Sequence, residues 1–522
     1  VSSTEVAREL IARLVAAGMR HIVIAPGSRS APLTYAAADA EAAGLVQAHV
    51  RVDERTAGFY ALGLLKAHAL RGEHRVVAVV TTSGTAVANL HPAVLEASHT
   101  GLPLVVLSAD RPHEWRGTGA SQTTQQPGIY GSATRWAADL PARINPASIR
   151  GQVTRAVAAA LGTITCDPGP VQLNVGFSEP LVPGDRWNPG PGHDHVGVEV
   201  VASGPEDRAA LALGPGVRTL VVAGDAAGGD AAHLARLAQW PLLAEPTSGA
   251  RVAGAITHYQ RLVADGLATD AQRLVVFGHP TLSRTMSALL ARTDLDVIVV
   301  SPTARWNDVT GNATAVVSRV VPQPAHSADA AWLGRWLHAD AAVERDYAPT
   351  PLERVALAAW EAPGVLLLGS SNTVRAFDAV VPGAERGYRV LGNRGLAGID
   401  GLISTAHGLA AGLREPVRVV LGDLSFAHDV GGLGRGTQEG EPDLDVVVVN
   451  DHGGGIFGGL EHGRAPRPLF ERFFAAGQVL DPLALARGFG AQAVRVEAAG
   501  VAEVLASYAS GRRVVEVPLP PV

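Results

Sequence analysis

Short apolar runs recur along the whole chain, each followed by a Gly-, Ser- or Asp-containing turn and then a stretch with helical periodicity. In the first third the runs fall at 21–25, 46–52, 76–80, 104–108 and 171–175. A helix is expected over 4–19, with Thr4 as cap, Gly18 as stop and Val6, Leu10, Ile11, Leu14 and Val15 on one face. Further helices are expected over 31–43, 57–69 and from about 87. A Pro-, Gly- and Asp-rich stretch at 180–195 reads as a linker. The middle third has runs at 219–223, 242–244, 274–277 and 297–300, and a helix with aromatics within 323–350. The last third has helices over 352–361 and 402–413, with runs at 365–368, 388–391, 417–421, 446–449, 493–496 and 513–517. Strand, polar turn and helix in repetition predict an α/β fold with mainly parallel sheets, in three α/β domains. Their expected limits are 1–180, 196–345 and 351–522. The first and third share this rhythm, although no residue-level repeat is visible.

A length of 522 residues suits about three domains of roughly 150 residues. The chain is 47% hydrophobic and 18% charged, which fits large buried cores rather than disorder. Net charge is −6 and no basic block stands out, so nucleic acid is not an expected partner. The single cysteine, Cys166, rules out an intrachain disulfide, fits a reducing cytoplasm and is expected to be a packing residue. No apolar run reaches the roughly 18 residues that span a bilayer, and the first residues carry no basic, apolar leader pattern. No integral membrane segment is expected.

Polar groups at the strand ends carry the candidate chemistry. The runs 417–421 and 446–449 end at Gly422-Asp423 and Asn450-Asp451, followed by Gly453-Gly454-Gly455. The spacing suits strand, crossover helix and strand, and in a doubly wound sheet both ends face the ligand crevice. Two hard oxygen ligands beside a Gly-rich turn suit Mg²⁺ with phosphate oxygens completing its shell. Strand-end Asp and Asn are also ordinary turn residues. Glu54, in Asp53-Glu54-Arg55, is either an acid–base group at a crevice or a residue favoured at a helix N-terminus. Ser28 and Arg29, in Pro26-Gly27-Ser28-Arg29-Ser30, are either an anion contact or a capped, solvated turn. Arg111 follows Asp110 at another strand end, and Gln122 stands in the polar loop 117–127. That first βα turn lacks the Gly-x-Gly-x-x-Gly dinucleotide fingerprint, which argues against a Rossmann dehydrogenase.

The pair of motifs around Asp423 and Asp451 resembles the signature of the thiamin diphosphate-dependent enzyme family, departing from it at Leu424 and Asp451. Together with Pro26-Gly27-Ser28-Arg29-Ser30, Asn393-Arg394-Gly395 and Gly398-Ile399-Asp400-Gly401, the chain resembles that family's menaquinone-pathway branch over nearly its whole length. The resemblance implies decarboxylation of 2-oxoglutarate and addition of the succinyl-semialdehyde carbanion equivalent to isochorismate. The three segments would then be pyrimidine-binding, central and diphosphate-binding domains, in a homodimer or homotetramer with active sites at subunit interfaces. Glu54 matches the catalytic glutamate and Ile399 the apolar prop under the bent cofactor. Gly422, Ser425, Gly453, Gly454, Ile456 and Phe457 match cofactor contacts. Asp423, Asp451 and the Gly453 carbonyl match ligands of Mg²⁺ or Mn²⁺, with Asn450 the alternative if the register shifts by one. Ser28, Arg29, Arg111, Gln122, Ser371, Arg375, Arg394 and Leu460 match substrate contacts, with Arg284 a contribution from the central domain. Substrates with two carboxylates give such arginines a purpose, because a guanidinium clamps a planar carboxylate through paired hydrogen bonds. An acetolactate synthase or other 2-oxoacid enzyme, whose substrates carry one carboxylate, would not need so many. A non-catalytic binder would have no use for Glu54.

Overall fold

The computed structural model describes residues 1–189 and 210–520. The expected linker over 180–195 and the start of the expected central domain therefore lie partly outside the described residues. Among the described residues, three main sheets form, all of parallel strands.

The first contains β1 (His21–Ile24), β2 (Gln47–Val50), β3 (Val77–Thr81), β4 (Leu104–Asp110), β5 (Trp136–Leu140) and β6 (Val171–Gly176), in the order β2-β1-β3-β4-β6-β5. The middle region adds β7 (Leu211–Leu213), β8 (Thr219–Ala223), β9 (Leu242–Ala244), β10 (Arg273–Phe277), β11 (Asp296–Val300), β12 (Ala315–Val317) and β13 (Val320–Pro322). Five of these form a sheet in the order β12-β11-β10-β8-β9, and β13 pairs with β7. The last sheet has β14 (Val365–Leu368), β15 (Val390–Gly392), β16 (Val417–Gly422), β17 (Leu444–Asn450), β18 (Gln492–Arg495) and β19 (Arg512–Pro518). Its order is β15-β14-β16-β17-β19-β18, the same winding as the first sheet. The repeat that residue identity hides is thus present in topology.

The central strands are buried on both faces, which is why they read as unbroken Val, Ile and Leu runs rather than alternating ones. Two compact units result, bounded in the chain as Val1–Ser203 with Asp400–Glu415 and Asp429–Pro442, and as Gly204–Ile399 with Pro416–His428 and Asp443–Val522. The second holds both the middle and the last sheet.

Within the first unit the helix Glu54–Leu70 lies directly against the helix Leu402–Leu413. Glycines make this approach possible: a Cβ at Gly63 would meet the Thr405 carbonyl oxygen at 2.1 Å, and one at Gly408 the Tyr60 oxygen at 2.0 Å.

Several sequence expectations need correction. The first helix runs Ser3–Ala16 and is capped by Ser2 rather than Thr4, in a reciprocal box with Glu5. The helix expected over 57–69 begins at Glu54, because Asp53 caps it through the Arg55 and Thr56 N–H groups. The strand expected at 388–391 is Val390–Gly392, preceded by a 3-10 turn. No long crossover helix joins β16 to β17 among the described residues. A short helix, Asp423–His428, and a 3-10 turn, Val430–Leu433, make the connection.

Candidate active site

In each six-stranded sheet the strand order reverses beside the first strand, and the candidate residues gather at the carboxyl ends around that point.

In the first unit, β1 leads to Ser28 and Arg29, β2 to Glu54, and β4 to Arg111. Arg29 is only 4% exposed. Its Nη1 donates to the Phe177 carbonyl at 2.8 Å and its guanidinium lies 5.6 Å from the Trp115 ring centre. Arg29 Nε is buried with no hydrogen-bond partner among the described residues. Burial, then the charge of Arg111, holds Arg29 below its usual pKa, so the two guanidinium groups sense each other. Arg111 Nη2 donates to the Ser121 carbonyl at 3.0 Å, beside exposed Gln122, whose φ is 54°. The loop is pinned by buried Gln126, which accepts from Gly84 N and donates to the Ala109 carbonyl and Asn174 Oδ1. Ser28 is exposed. Glu54 is half-buried in the first turn of its helix, its Oε2 3.5 Å from Asn89 Nδ2.

In the second unit, Asp423 begins the short helix after β16, and Asp451 follows β17, its neighbour in the sheet. Burial, then the charge of Asp451, pushes Asp423 up to about 6; burial likewise raises Asp451. The negative charge of Asp451 is felt by Asp423, an arrangement that strains two carboxylates and suits a cation between them. Asn450 is engaged elsewhere: its Nδ2 donates to Glu516 Oε1 at 2.8 Å and its Oδ1 accepts from His452 N at 3.2 Å. Gly453 has φ 145°, and a Cβ there would meet the Ala475 carbonyl at 2.4 Å. Glycine is therefore required at 453 by its φ and by the close approach of the Ala475 backbone. Ser425 is buried in the same short helix, and Gly422 ends β16. Ile456 and Phe457 are half-buried on the 3-10 turn Gly455–Gly459, with Leu460 next to it. Ile399, before the helix Leu402–Leu413, is 37% exposed. Among the described residues no group of three or more His, Cys, Asp or Glu side chains is placed to hold a metal. A divalent ion here would thus take two carboxylates, backbone carbonyl and phosphate oxygens, a donor set that fits Mg²⁺ or Mn²⁺.

A second guanidinium pair stands at the ends of β14 and β15. Arg375 lies on the helix Asn372–Val380 and donates through Nη1 to the Ser371 carbonyl at 2.7 Å. Arg394 is 4% exposed, with Nη2 3.5 Å from Thr281 Oγ1. Burial, then the charge of Arg394, lowers the pKa of Arg375. Arg284 is not held in reserve: it is exposed and forms a two-pronged ion pair with Glu461 at 2.8 and 3.1 Å. That pair holds Glu461 down to about 2, chiefly through the hydrogen bond from Arg284.

Buried acids also escaped the sequence reading, Asp429 and Glu245 among them. Asp429 accepts from Ser404 N at 2.8 Å and from its Oγ at 2.9 Å, capping the helix Leu402–Leu413, and burial pushes it up to about 6. Glu245, directly after β9, is 2% exposed. It carries the same local signal as Glu54 and Asp423, an acid ending an apolar run.

The N-terminal thiamine pyrophosphate-binding domain of thiamine pyrophosphate enzymes matches residues 4–129, and the C-terminal one matches residues 376–517. The fold is also that of a benzoylformate decarboxylase from Polynucleobacter necessarius, with a TM-score of 0.66 at 16% identity over 100% of both chains. Fold and site therefore define a thiamin diphosphate-dependent enzyme. The chain is 46% identical to a 2-succinyl-5-enolpyruvyl-6-hydroxy-3-cyclohexene-1-carboxylate synthase of Kineococcus radiotolerans, over 99% of this chain and 95% of that one. It is 44% identical to the synthase of the same name from a Nocardioides species, with the same coverage. The chain belongs to this synthase family.

Proposed function

We propose that the protein joins 2-oxoglutarate to isochorismate, releasing CO₂ and forming 2-succinyl-5-enolpyruvyl-6-hydroxy-3-cyclohexene-1-carboxylate for menaquinone biosynthesis. The observation that carries this reading is near-full-length similarity to synthases of that name. Two guanidinium pairs at the carboxyl edges of two sheets support it, because both substrates carry two carboxylates.

Thiamin diphosphate, when bound, supplies the electron sink that decarboxylation requires. The chain's own residues do the rest. Asp423, Asp451 and the Gly453 carbonyl hold Mg²⁺ or Mn²⁺, and the Gly453-Gly454 backbone and Ser425 meet the phosphates beside Gly422. Ile399, Ile456 and Phe457 give the cofactor an apolar bed. Glu54 holds a hydrogen bond to the aminopyrimidine ring and so governs its protonation. Arg29 and Arg111, with Ser28 and Gln122, bind one set of substrate carboxylates. Arg375 and Arg394, with Ser371, bind another, and Leu460 walls the site. Arg284 would contribute only by exchanging Glu461 for a substrate carboxylate. Residues 1–180, 196–345 and 351–522 act as pyrimidine-binding, central and diphosphate-binding domains. A homodimer or homotetramer completes each site, in the cytoplasm; no described helix is long and apolar enough to cross a membrane.

The test is an omission assay with purified protein. Substrate consumption should require both substrates, thiamin diphosphate and a divalent cation together. Steady consumption of pyruvate in their place would move the protein to another branch of the class.

A further inference from the structure

Glu245 lies where three parts of the second unit meet. Its Oε1 accepts from Leu282 N at 2.9 Å, which fixes the loop whose Thr281 hydroxyl meets Arg394. Its backbone is held at both sides: Glu245 N donates to the Ala223 carbonyl at 2.8 Å and Ser248 N to the Glu245 carbonyl at 3.1 Å. The neighbouring Ala244 carbonyl accepts from Arg251 Nη1 at 2.7 Å, and the same nitrogen reaches Asp378 Oδ1 at 3.0 Å. Asp378 is one turn beyond Arg375 on the same helix. Tyr259 donates to both Asp378 oxygens, and Gln260 also bonds it. The end of β9 is thus bolted to the helix carrying Arg375. It also packs on the strand end carrying Arg394: a Cβ at Gly392 would lie 3.2 Å from Thr247 Cγ2 and 3.0 Å from Arg394 Cγ.

Within this frame Glu245 Oε2 is buried and has no hydrogen-bond partner among the described residues. A buried, unsatisfied carboxylate oxygen is costly and calls for a use. The charged and titratable groups around it are Asp225 after β8, Arg251 and Tyr259 after β9, Asp378 and Arg375 on the helix Asn372–Val380, and Arg394 after β15.

We propose that Glu245 is a positioning residue for the Arg375–Arg394 pair, anchoring the loop under Arg394 and staying uncharged while an anionic substrate is bound. This role rests on the assignment of that pair to substrate binding. Burial first, then Asp378, pushes Glu245 up to about 8, while Leu282 N and Arg394 pull it down. A substrate carboxylate nearby adds negative charge and raises it further, so above about pH 8 binding takes up a proton from solvent. Below about pH 8 Glu245 is already protonated and binding is unhindered. Above it, the proton must be supplied, and affinity falls as pH rises.

The experiment compares KM and kcat for 2-oxoglutarate and isochorismate from pH 6.5 to 9.5 in the wild type, Glu245→Gln and Glu245→Ala. For one substrate the wild-type KM should rise about tenfold between pH 7 and pH 9 as one proton becomes limiting. Glu245→Gln keeps the acceptor for Leu282 N and should flatten that rise to under twofold. Glu245→Ala frees the loop and should raise KM about tenfold at pH 7, with a much smaller change in kcat. A wild-type pH profile retained in Glu245→Gln would overturn the role, and a melting curve for that variant guards against misfolding if Glu245→Ala does not fold. A wild type that consumes neither substrate would instead overturn the functional reading, and the pair's assignment with it.

Discussion

Single acids differ here by what surrounds them. Glu54 sits half-buried at a helix start, and its proposed role needs a carboxyl group that exchanges a proton. Glu54→Gln should leave cofactor binding within about threefold and cut turnover by about a hundredfold or more, as loss of an acid–base group does. Near-normal turnover in a stopped assay would remove Glu54 from its role. Asp423 behaves differently. An acid whose pKa is raised in the folded state adds stability fully below its free value, near 4, and that gain is lost as pH rises through about 6. The metal-free fold therefore carries a strained Asp423–Asp451 pair at neutral pH, and a cation relieves it. Mg²⁺ should raise the melting temperature more at pH 7.5 than at pH 5.5, and Asp423→Asn should abolish the difference. Equal shifts at both pH values would argue that the pair is not the cation site. Arg394→Ala removes a buried, charge-assisted contact worth about 1.5–3 kcal/mol, which is roughly 10- to 150-fold in substrate KM. Steady-state kinetics with unchanged KM would contradict the clamp.

Elements show how much of this was legible beforehand. The helix Leu402–Leu413 and the strand Leu242–Ala244 stand where periodicity and apolar runs put them. The strand Trp136–Leu140 was missed because it is an edge strand that carries Asp139 and has only Leu140 fully buried. The strands β7, β12 and β13 are three residues long and half-exposed, too short for a pattern. Ser2 as a cap was readable, since Glu5 completes the Ser-x-x-Glu box. At the site, the strand-end acids Glu54, Asp423 and Asp451 announced themselves and Glu245 did not, whereas the pairing of Arg29 with Arg111, or Arg284 with Glu461, depends on residues far apart in the chain. The close packing of Glu54–Leu70 on Leu402–Leu413 yields a further prediction. Alanine in place of a helical glycine ordinarily stabilises by up to about 1 kcal/mol. At Gly408 the new methyl would strike a backbone oxygen at 2.0 Å, which cannot rotate away, so overpacking should win. Gly408→Ala should lose about 1–3 kcal/mol in a denaturant melt. No loss would mean that the two helices are not in backbone contact.

At the scale of the whole molecule, one winding order appears twice, and each copy brings a different set of groups to its carboxyl edge. The first brings an acid, Glu54, and the Arg29–Arg111 pair; the last brings the two aspartates and the Arg375–Arg394 pair. In the proposed roles, an acid for proton exchange, acids for a cation and two pairs of cations for carboxylates make a division of labour that suits joining two polyanions. The central claim is that these cations choose the donor. The most direct measurement is kcat/KM for 2-oxoglutarate against pyruvate, with isochorismate as acceptor, thiamin diphosphate and Mg²⁺ present. Loss of one clamped carboxylate costs about 1.5–3 kcal/mol, so 2-oxoglutarate should be favoured by roughly 10- to 150-fold. Equal use of the two donors, or preference for pyruvate, would contradict the account.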